Sequence, residues 1–316
     1  MLHTIYPKDF LGLLGLGIHQ AANLATPYSE LNDQTSRNFG WEVLSSLAAQ
    51  KNRNMESILV TNGLGNSAFI VIKKPAGSST WEIKLLLVEG KDKGVLSRAI
   101  SDAINVSIKN SGRRMLFRIE SQSGIAKTMA SYGFKSYSTE SFYSLNTNMQ
   151  KVKFGPDLDA ASFSYRYKEN KDDYPLFTLY NKQLPREVRL GEGITFDTWV
   201  ETINSQWSNA DSIKDVIITK DDTLQTWIRS ATFSKNNSLL KLMLPLPEEV
   251  QFNPFDLKAL DFQPISRETL VSLPDHSNIS HHQMESWGYK YCGAYINLFR
   301  EYGKTVPEGT FATASL

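Results

Sequence analysis

The sequence predicts an α/β (α+β) chain of two tandem domains, each a mixed, mostly antiparallel sheet flanked by helices. Three observations lead there. A heptapeptide occurs twice, MASYGFK at 129–135 and MESWGYK at 284–290, with four of seven positions identical and two more exchanging one aromatic for another. The offset of 155 residues is close to half of the 316-residue chain, which indicates two large copies rather than a stack of short units. The order strand, two helices, three strands, helix, strand, helix, strand is legible in the first copy and recurs, less clearly, in the second. The match extends upstream without a gap, placing RMLFRIESQS at 114–123 opposite TLVSLPDHSN at 269–278, an apolar strand followed by a polar turn.

The first domain is expected over residues 1–148. It opens with a strand at 4–6 and a helix capped by Asp9. A second helix at 36–50 places Phe39, Val43, Leu44 and Leu47 on one face. Strands follow at 56–61, 68–74 and 81–88, joined by NGLGN at 62–66 and PAGSS at 75–79, whose glycine, proline and asparagine suit hairpin turns. After GKDKG at 90–94 the period changes to that of a helix, with Val95, Ala99, Ala103 and Val106 in one stripe until Gly112. A strand at 113–119, a helix at 124–132 and a strand at 135–145 complete the copy.

A linker rich in glycine, proline, aspartate and alanine is expected at 149–161, and the second domain at 162–302. Its strands are read at 163–167, 213–219, 224–233 and 239–244, and its helices at 172–182 and 195–206. Pro245, Pro247, Pro254 and Pro264 shorten the next helix to about 254–260. Residues 303–316 read as a flexible tail.

Composition excludes several classes. With 34 basic and 33 acidic residues the net charge is +1, and no block of like charge would recruit nucleic acid. Arg113, Arg114 and Arg118 alternate with apolar residues and read as the wet face of a strand. The single cysteine, Cys292, excludes an internal disulfide and suits a reducing compartment; among Tyr289, Tyr291 and Tyr295 it reads as structural. The apolar run at 11–18 is too short to span a bilayer. The expectation is a cytoplasmic protein with no membrane or nucleic-acid partner, monomeric or homodimeric.

The twice-repeated order, with an aromatic-flanked glycine before each final strand, resembles the GNAT superfamily of acyl-CoA-dependent N-acyltransferases in a tandem arrangement. The resemblance implies a sheet that splays open after its fourth strand and holds acyl-CoA in the split, with the pyrophosphate on amides at the start of the next helix. The family's phosphate loop, Q/R-x-x-G-x-G/A, corresponds to Lys91-Asp92-Lys93-Gly94-Val95-Leu96, in which one glycine survives, lysine replaces glutamine or arginine, and Leu96 would crowd the pyrophosphate. The resemblance implies acetyl-CoA as co-substrate, with Lys91, Lys93, Gly94 and Val95 at the pyrophosphate and the backbone of 85–88, Leu87 and Val88 included, beside the pantetheine. The second copy has LPEEVQF at 246–252, whose two carboxylates repel phosphate. The tyrosine that the family often uses as an acid falls on Met129 and Met284, neither of which transfers a proton. Tyr132 lies nearby, but its place along the helix points it elsewhere. No catalytic residue is assigned.

Other constellations read blandly. His276, His281, His282 and Glu285 match no zinc spacing, and no metal is expected; a general-base role for His281 or His282 is the sharper alternative. GLLGLG at 12–17 does not follow a strand as a dinucleotide motif requires. Asp172-Asp173 and Asp221-Asp222 read as a helix start and a hairpin turn. Trp199, Trp207 and Trp227 read as core, or as the lining of a ligand pocket. Two functions remain: an N-acyltransferase, most simply an N-acetyltransferase, acting on a small amine with acyl-CoA bound by the first copy, or a catalytically silent protein that kept the fold as a binding or scaffold module.

Overall fold

A computed structural model describes residues 55–61, 66–74, 79–89, 93–146, 163–192, 195–206, 210–233, 237–245 and 268–302. The strand expected at 4–6, the helices at 9 and 36–50, the linker, the helix at 254–260, the tail, Lys91, Trp207 and the LPEEVQF segment lie outside them.

Runs of apolar and β-branched residues build β1 (Met55–Thr61), β2 (Ser67–Lys73) and β3 (Thr80–Glu89), and period 3.6 builds α1 (Lys93–Lys109). Next come β4 (Arg114–Glu120), α2 (Ile125–Ser131) and β5 (Lys135–Asn146). The second half contributes β6 (Phe163–Tyr167), a 3₁₀ turn (Asn170–Asp172), α3 (Asp173–Gln183), α4 (Arg186–Glu192) and α5 (Phe196–Gln206). It ends with β7 (Ser212–Lys220), β8 (Thr223–Phe233), β9 (Asn237–Leu242), β10 (Glu268–Pro274), α6 (His281–Ser286) and β11 (Tyr289–Glu301). The expected elements within the described residues are present to within two residues at each end. The short α4 was not read from the sequence, because Gly191 and the preceding Pro185 mask its pattern.

The eleven strands among the described residues form one sheet in the order β1-β2-β3-β4-β11-β5-β10-β9-β8-β7-β6. The last strand of each half pairs with the other half: β4 is bonded to β11, β10 to β5, and β5 to β11, all antiparallel. The parallel pairs β3·β4 and β9·β10 make the sheet mixed.

One face carries α1 and α2 over Ile83, Met115, Phe117 and Leu298, and α6 over Tyr143, Leu240 and Val271. The opposite face carries α3, α4 and α5 over Ile217, Trp227 and Leu244. Trp199 and Trp227 are fully buried there, in edge contact at 5.9 Å, so both belong to the core.

The repeated heptapeptide makes the same turn twice. Gly133 and Gly288 adopt φ of 79° and 85°, a region that favours glycine. Their amides bond to Ala130 O and Glu285 O, both at 2.9 Å, and Ser131 and Ser286 each bond back to the helix at 2.7 Å. Met129 and Met284 are both completely buried.

The ungapped upstream match needs correction. Glu120 pairs with Tyr295 and Pro274 with Glu140, so β4 and β10 correspond at an offset of 154, whereas β5 and β11 correspond at 155. The extra residue falls in the turn before α6. A slip of one residue moves every strand side chain to the other face, which is why Phe117 matches Val271 in the core and not Ser272.

Candidate functional site

The resemblance implies a split between β3 and β4, and the pairings show where these strands part. In the first half β3 pairs with β4 only from Thr80↔Arg114 to Ile83↔Phe117. Just past that point β3 bulges: Val71 pairs with Leu85 and Ile72 with Ile83, leaving Lys84 extra. A bulge bends and twists its strand. Beyond it β3 continues to Glu89 along β2, while β4 continues to Glu120 along β11, so the two part toward their C-terminal ends. In the second half β9 pairs with β10 from Asn237↔Glu268 to Lys241↔Ser272, one position further by the repeat correspondence, after which Met243 N bonds to Trp227 O on β8 and β10 continues along β5 to Pro274. In both halves the parallel pair ends at nearly the same place, and the two strands then follow different neighbours.

The parted segment of β3 includes Leu87, which is buried, and Val88, which is half-buried against the core. The start of α1 lies just after it in the chain. Lys93 and Gly94 are exposed there, and the first turn contains no acidic residue. Val95 is buried, so only its backbone is offered to a ligand. Leu96 corrects an expectation: its side chain is buried in the core under α1 and does not crowd the helix start. These residues fit a phosphate-bearing thioester, which would supply the activated acyl group, with backbone amides at Lys93–Val95 and the positive end of α1 facing the pyrophosphate.

On the face opposite α1, a continuous polar chain crosses the sheet. Arg118 Nε donates to Asn297 Oδ1 at 3.2 Å, and Asn297 Nδ2 donates to Ser138 Oγ at 3.0 Å and Glu140 Oε1 at 3.3 Å. Glu140 also accepts from Lys241 Nζ at 2.8 Å and from Ser272 Oγ at 3.2 Å. Glu140, Lys241, Ser272 and Asn297 are all buried. Arg113 is exposed, as expected of a wet face, but Arg114 and Arg118 are half-buried and bonded. Arg114 Nη1 donates to Leu190 O at 2.9 Å, tying β4 to α4, and its Nε and Nη2 reach Thr80 Oγ1. Alongside, burial pushes the Tyr137 and Tyr180 phenols up, helped by the Glu192 carboxylate, and burial also raises Glu192 against the pull of Lys241 and His276. No period or motif pointed to Glu140 or Glu192.

The histidines divide. His281 Nε2 meets Glu285 Oε1 at 3.2 Å, an exposed i, i+4 pair, and His281 Nδ1 meets Tyr143 OH at 3.2 Å. Among the described residues no group of three metal-ligating side chains gathers. Cys292 is exposed, at the bulge of β11 between Tyr291 and Gly293. Tyr132 is half-buried against the α1-face core. No described helix is long and apolar enough to cross a membrane.

No protein-family model matches the chain, and no curated protein matches it. Solved structures do. A GCN5-related N-acetyltransferase from Sphaerobacter thermophilus is 10% identical, with 94% of each chain covered and a TM-score of 0.53. A tandem GNAT protein from the clavulanic acid biosynthesis pathway is 13% identical, covering 94% of this chain and 96% of its own, at a TM-score of 0.46. A GCN5-related N-acetyltransferase from Kribbella flavida is 10% identical over 83% of this chain and 95% of its own, also at 0.46. With the first of these likenesses, the doubled element order and the repeated turn before each last strand, the chain has a tandem GNAT-like fold.

Proposed function

We propose that the protein is an acyl-CoA-dependent N-acyltransferase, most simply an N-acetyltransferase of a small amine, with the acyl donor held by the first half. The observation that carries this reading is the parting of β3 and β4 after Ile83↔Phe117, with the start of α1 following directly. Pantetheine amides would pair with the β3 backbone along Leu87 and Val88, and the pyrophosphate would lie on Lys93, Gly94 and Val95, with Lys91 adding charge. The second half would shape the acceptor side. The likeness to N-acetyltransferases of this fold supports the reading, since fold alone does not settle activity.

Calorimetric titration of the full chain with acetyl-CoA, and separately with CoA, tests it. One site per chain is expected. Gly94→Glu should abolish binding while leaving folding intact, because a carboxylate suits a helix N-terminus yet repels phosphate. Unchanged affinity in that variant would sink the assignment.

A second reading, a silent GNAT-fold binding or scaffold protein, is favoured by one observation. Met129 and Met284 occupy the positions that the resemblance gives to the acid, and both are wholly buried. A folded chain that gives no heat with either ligand supports it; multiple turnovers of acyl transfer eliminate it.

A further inference from the structure

We infer that a small carboxylate binds between the two halves, on the guanidinium of Arg114, in a polar chamber that Tyr137, Tyr180 and Glu192 close around it. The chamber lies at the first residue of β4, about 10 Å along the strand from the point where β3 and β4 part, so this inference does not rest on the acyl-transfer reading.

Arg114 carries a charge that lacks a counter-ion. Its Nη1 donates to Leu190 O at 2.9 Å, and its Nε and Nη2 donate to Thr80 Oγ1 at 3.3 and 3.1 Å. Both acceptors are neutral, and these bonds use three of its five N–H groups. Among the described residues no carboxylate comes within ion-pair distance of it. Glu301, its neighbour across the β4–β11 ladder, is exposed, and Glu301 and Glu192 act on it only through space. A guanidinium taken out of water is costly unless a negative group meets it. Thr80 and Leu190 hold its plane, and a fixed fork with N–H groups to spare suits a carboxylate.

The surroundings enclose a space beside this charge. Arg114, Tyr137 and Glu192 each keep accessible surface, yet burial is the first cause of the shift in proton affinity of all three. Groups set that deep which still keep surface line an enclosed chamber rather than the outer face. Tyr180 completes the wall: it is 2% exposed, and its phenol lies beside Glu192 without a hydrogen bond of good geometry. Gly191 packs on the Tyr137 ring and holds it in place. The chamber thus offers two phenol O–H donors beside the guanidinium, and burial draws Glu192, its one carboxyl, toward the neutral form. One unpaired positive charge fits a singly charged ligand; a phosphate dianion would leave a second charge buried and unmet.

Each half supplies part of the site. Arg114 and Tyr137 belong to the first half, and Tyr180 on α3 with Leu190 and Glu192 on α4 belong to the second. The duplication gives no second copy of it, because Arg114 and Tyr137, at offsets of 154 and 155, correspond to Glu268 and Cys292. A ligand held there ties α4 to β4 and β5 across the joint between the halves.

Saturation-transfer NMR on the full chain, with sodium acetate and separately with sodium propionate, measures this site without acyl-CoA. Methyl signal from at least one of the two is expected, with none from methylammonium chloride, and equimolar inorganic phosphate should leave the carboxylate signal in place. Arg114→Gln should weaken binding at least tenfold, the loss of a charged hydrogen-bonding partner. Because that change also cuts the tie to Leu190, Tyr137→Phe is the second variant. It keeps the ring against Gly191, removes one donor, and should weaken binding severalfold with a thermal melt like the parent's. No signal from either carboxylate, unchanged affinity in Tyr137→Phe, or displacement of the carboxylate by phosphate overturns the inference.

Discussion

Glu140 and Tyr295 face each other across the β5–β11 ladder, and they are also the same position of the two repeats, 155 residues apart. In an antiparallel pair related by a two-fold axis, the residue on the axis pairs with its own counterpart, so the pseudo-symmetry axis of the chain passes between these two residues. The flanking pairs obey it: Glu120↔Tyr295 on one side is matched by Pro274↔Glu140 on the other. The symmetry is broken chemically at its own centre, where one copy presents a carboxylate and the other a phenol ring packed edge-on against Phe142 at 5.4 Å.

That carboxylate is buried with Lys241 from the other half, at 3% and 4% side-chain exposure. Removing one partner leaves an uncompensated buried charge, whereas replacing both with apolar groups of similar size need not cost stability. Glu140→Leu alone should lower unfolding free energy by about 3–5 kcal/mol, and Glu140→Leu with Lys241→Met should recover most of that. Urea denaturation of the two variants checks it; equal losses in single and double variants would show that the pair does not hold the exchanged strands.

Gly191 lies against the flat of the Tyr137 ring, where an added Cβ would fall 2.3 Å from the nearest ring carbon. Tyr137 is the extra residue of a bulge in β5, between Ser136↔Leu298 and Ser138↔Asn297, so the ring has little room to retreat. Gly191→Ala should therefore destabilise by about 1–3 kcal/mol despite alanine's better helix propensity. A thermal melt at or above that of the parent chain would contradict the contact.

Asp172 accepts two hydrogen bonds from Arg166, both 2.7 Å, and one from the Glu169 amide. The Arg166 guanidinium holds its carboxyl down to about 2. Because the folded value lies below the unfolded one of about 3.9, this contribution is present in full above about pH 4 and is lost as the pH falls toward 2. Asp172→Asn should flatten that part of the acid stability profile and leave its shape above pH 5 unchanged; a parallel shift at every pH would assign the effect to packing.

Much of this molecule was legible locally. Hydrophobic periodicity located the described strands and helices, and the repeated heptapeptide located the duplication, because both depend on neighbours a few residues apart. The start of α1 after a third strand was legible too, since the change from strand to helix period is a local signal. The polar face of β5 was not. Ser136, Ser138 and Glu140 alternate with Tyr137, Thr139 and Ser141 as a wet edge strand would, and only the exchange buries Ser138 and Glu140.

By itself, then, the sequence determined that there are two copies, where most of the described elements lie, and where the turn glycines fall. Tertiary structure decided which strand each last strand joins, the one-residue slip between β4 and β10, and where β3 and β4 part. These are choices among long-range pairings of nearly equivalent strands. Local pattern leaves them open, and the fit of buried partners such as Glu140 and Lys241, 101 residues apart, settles them.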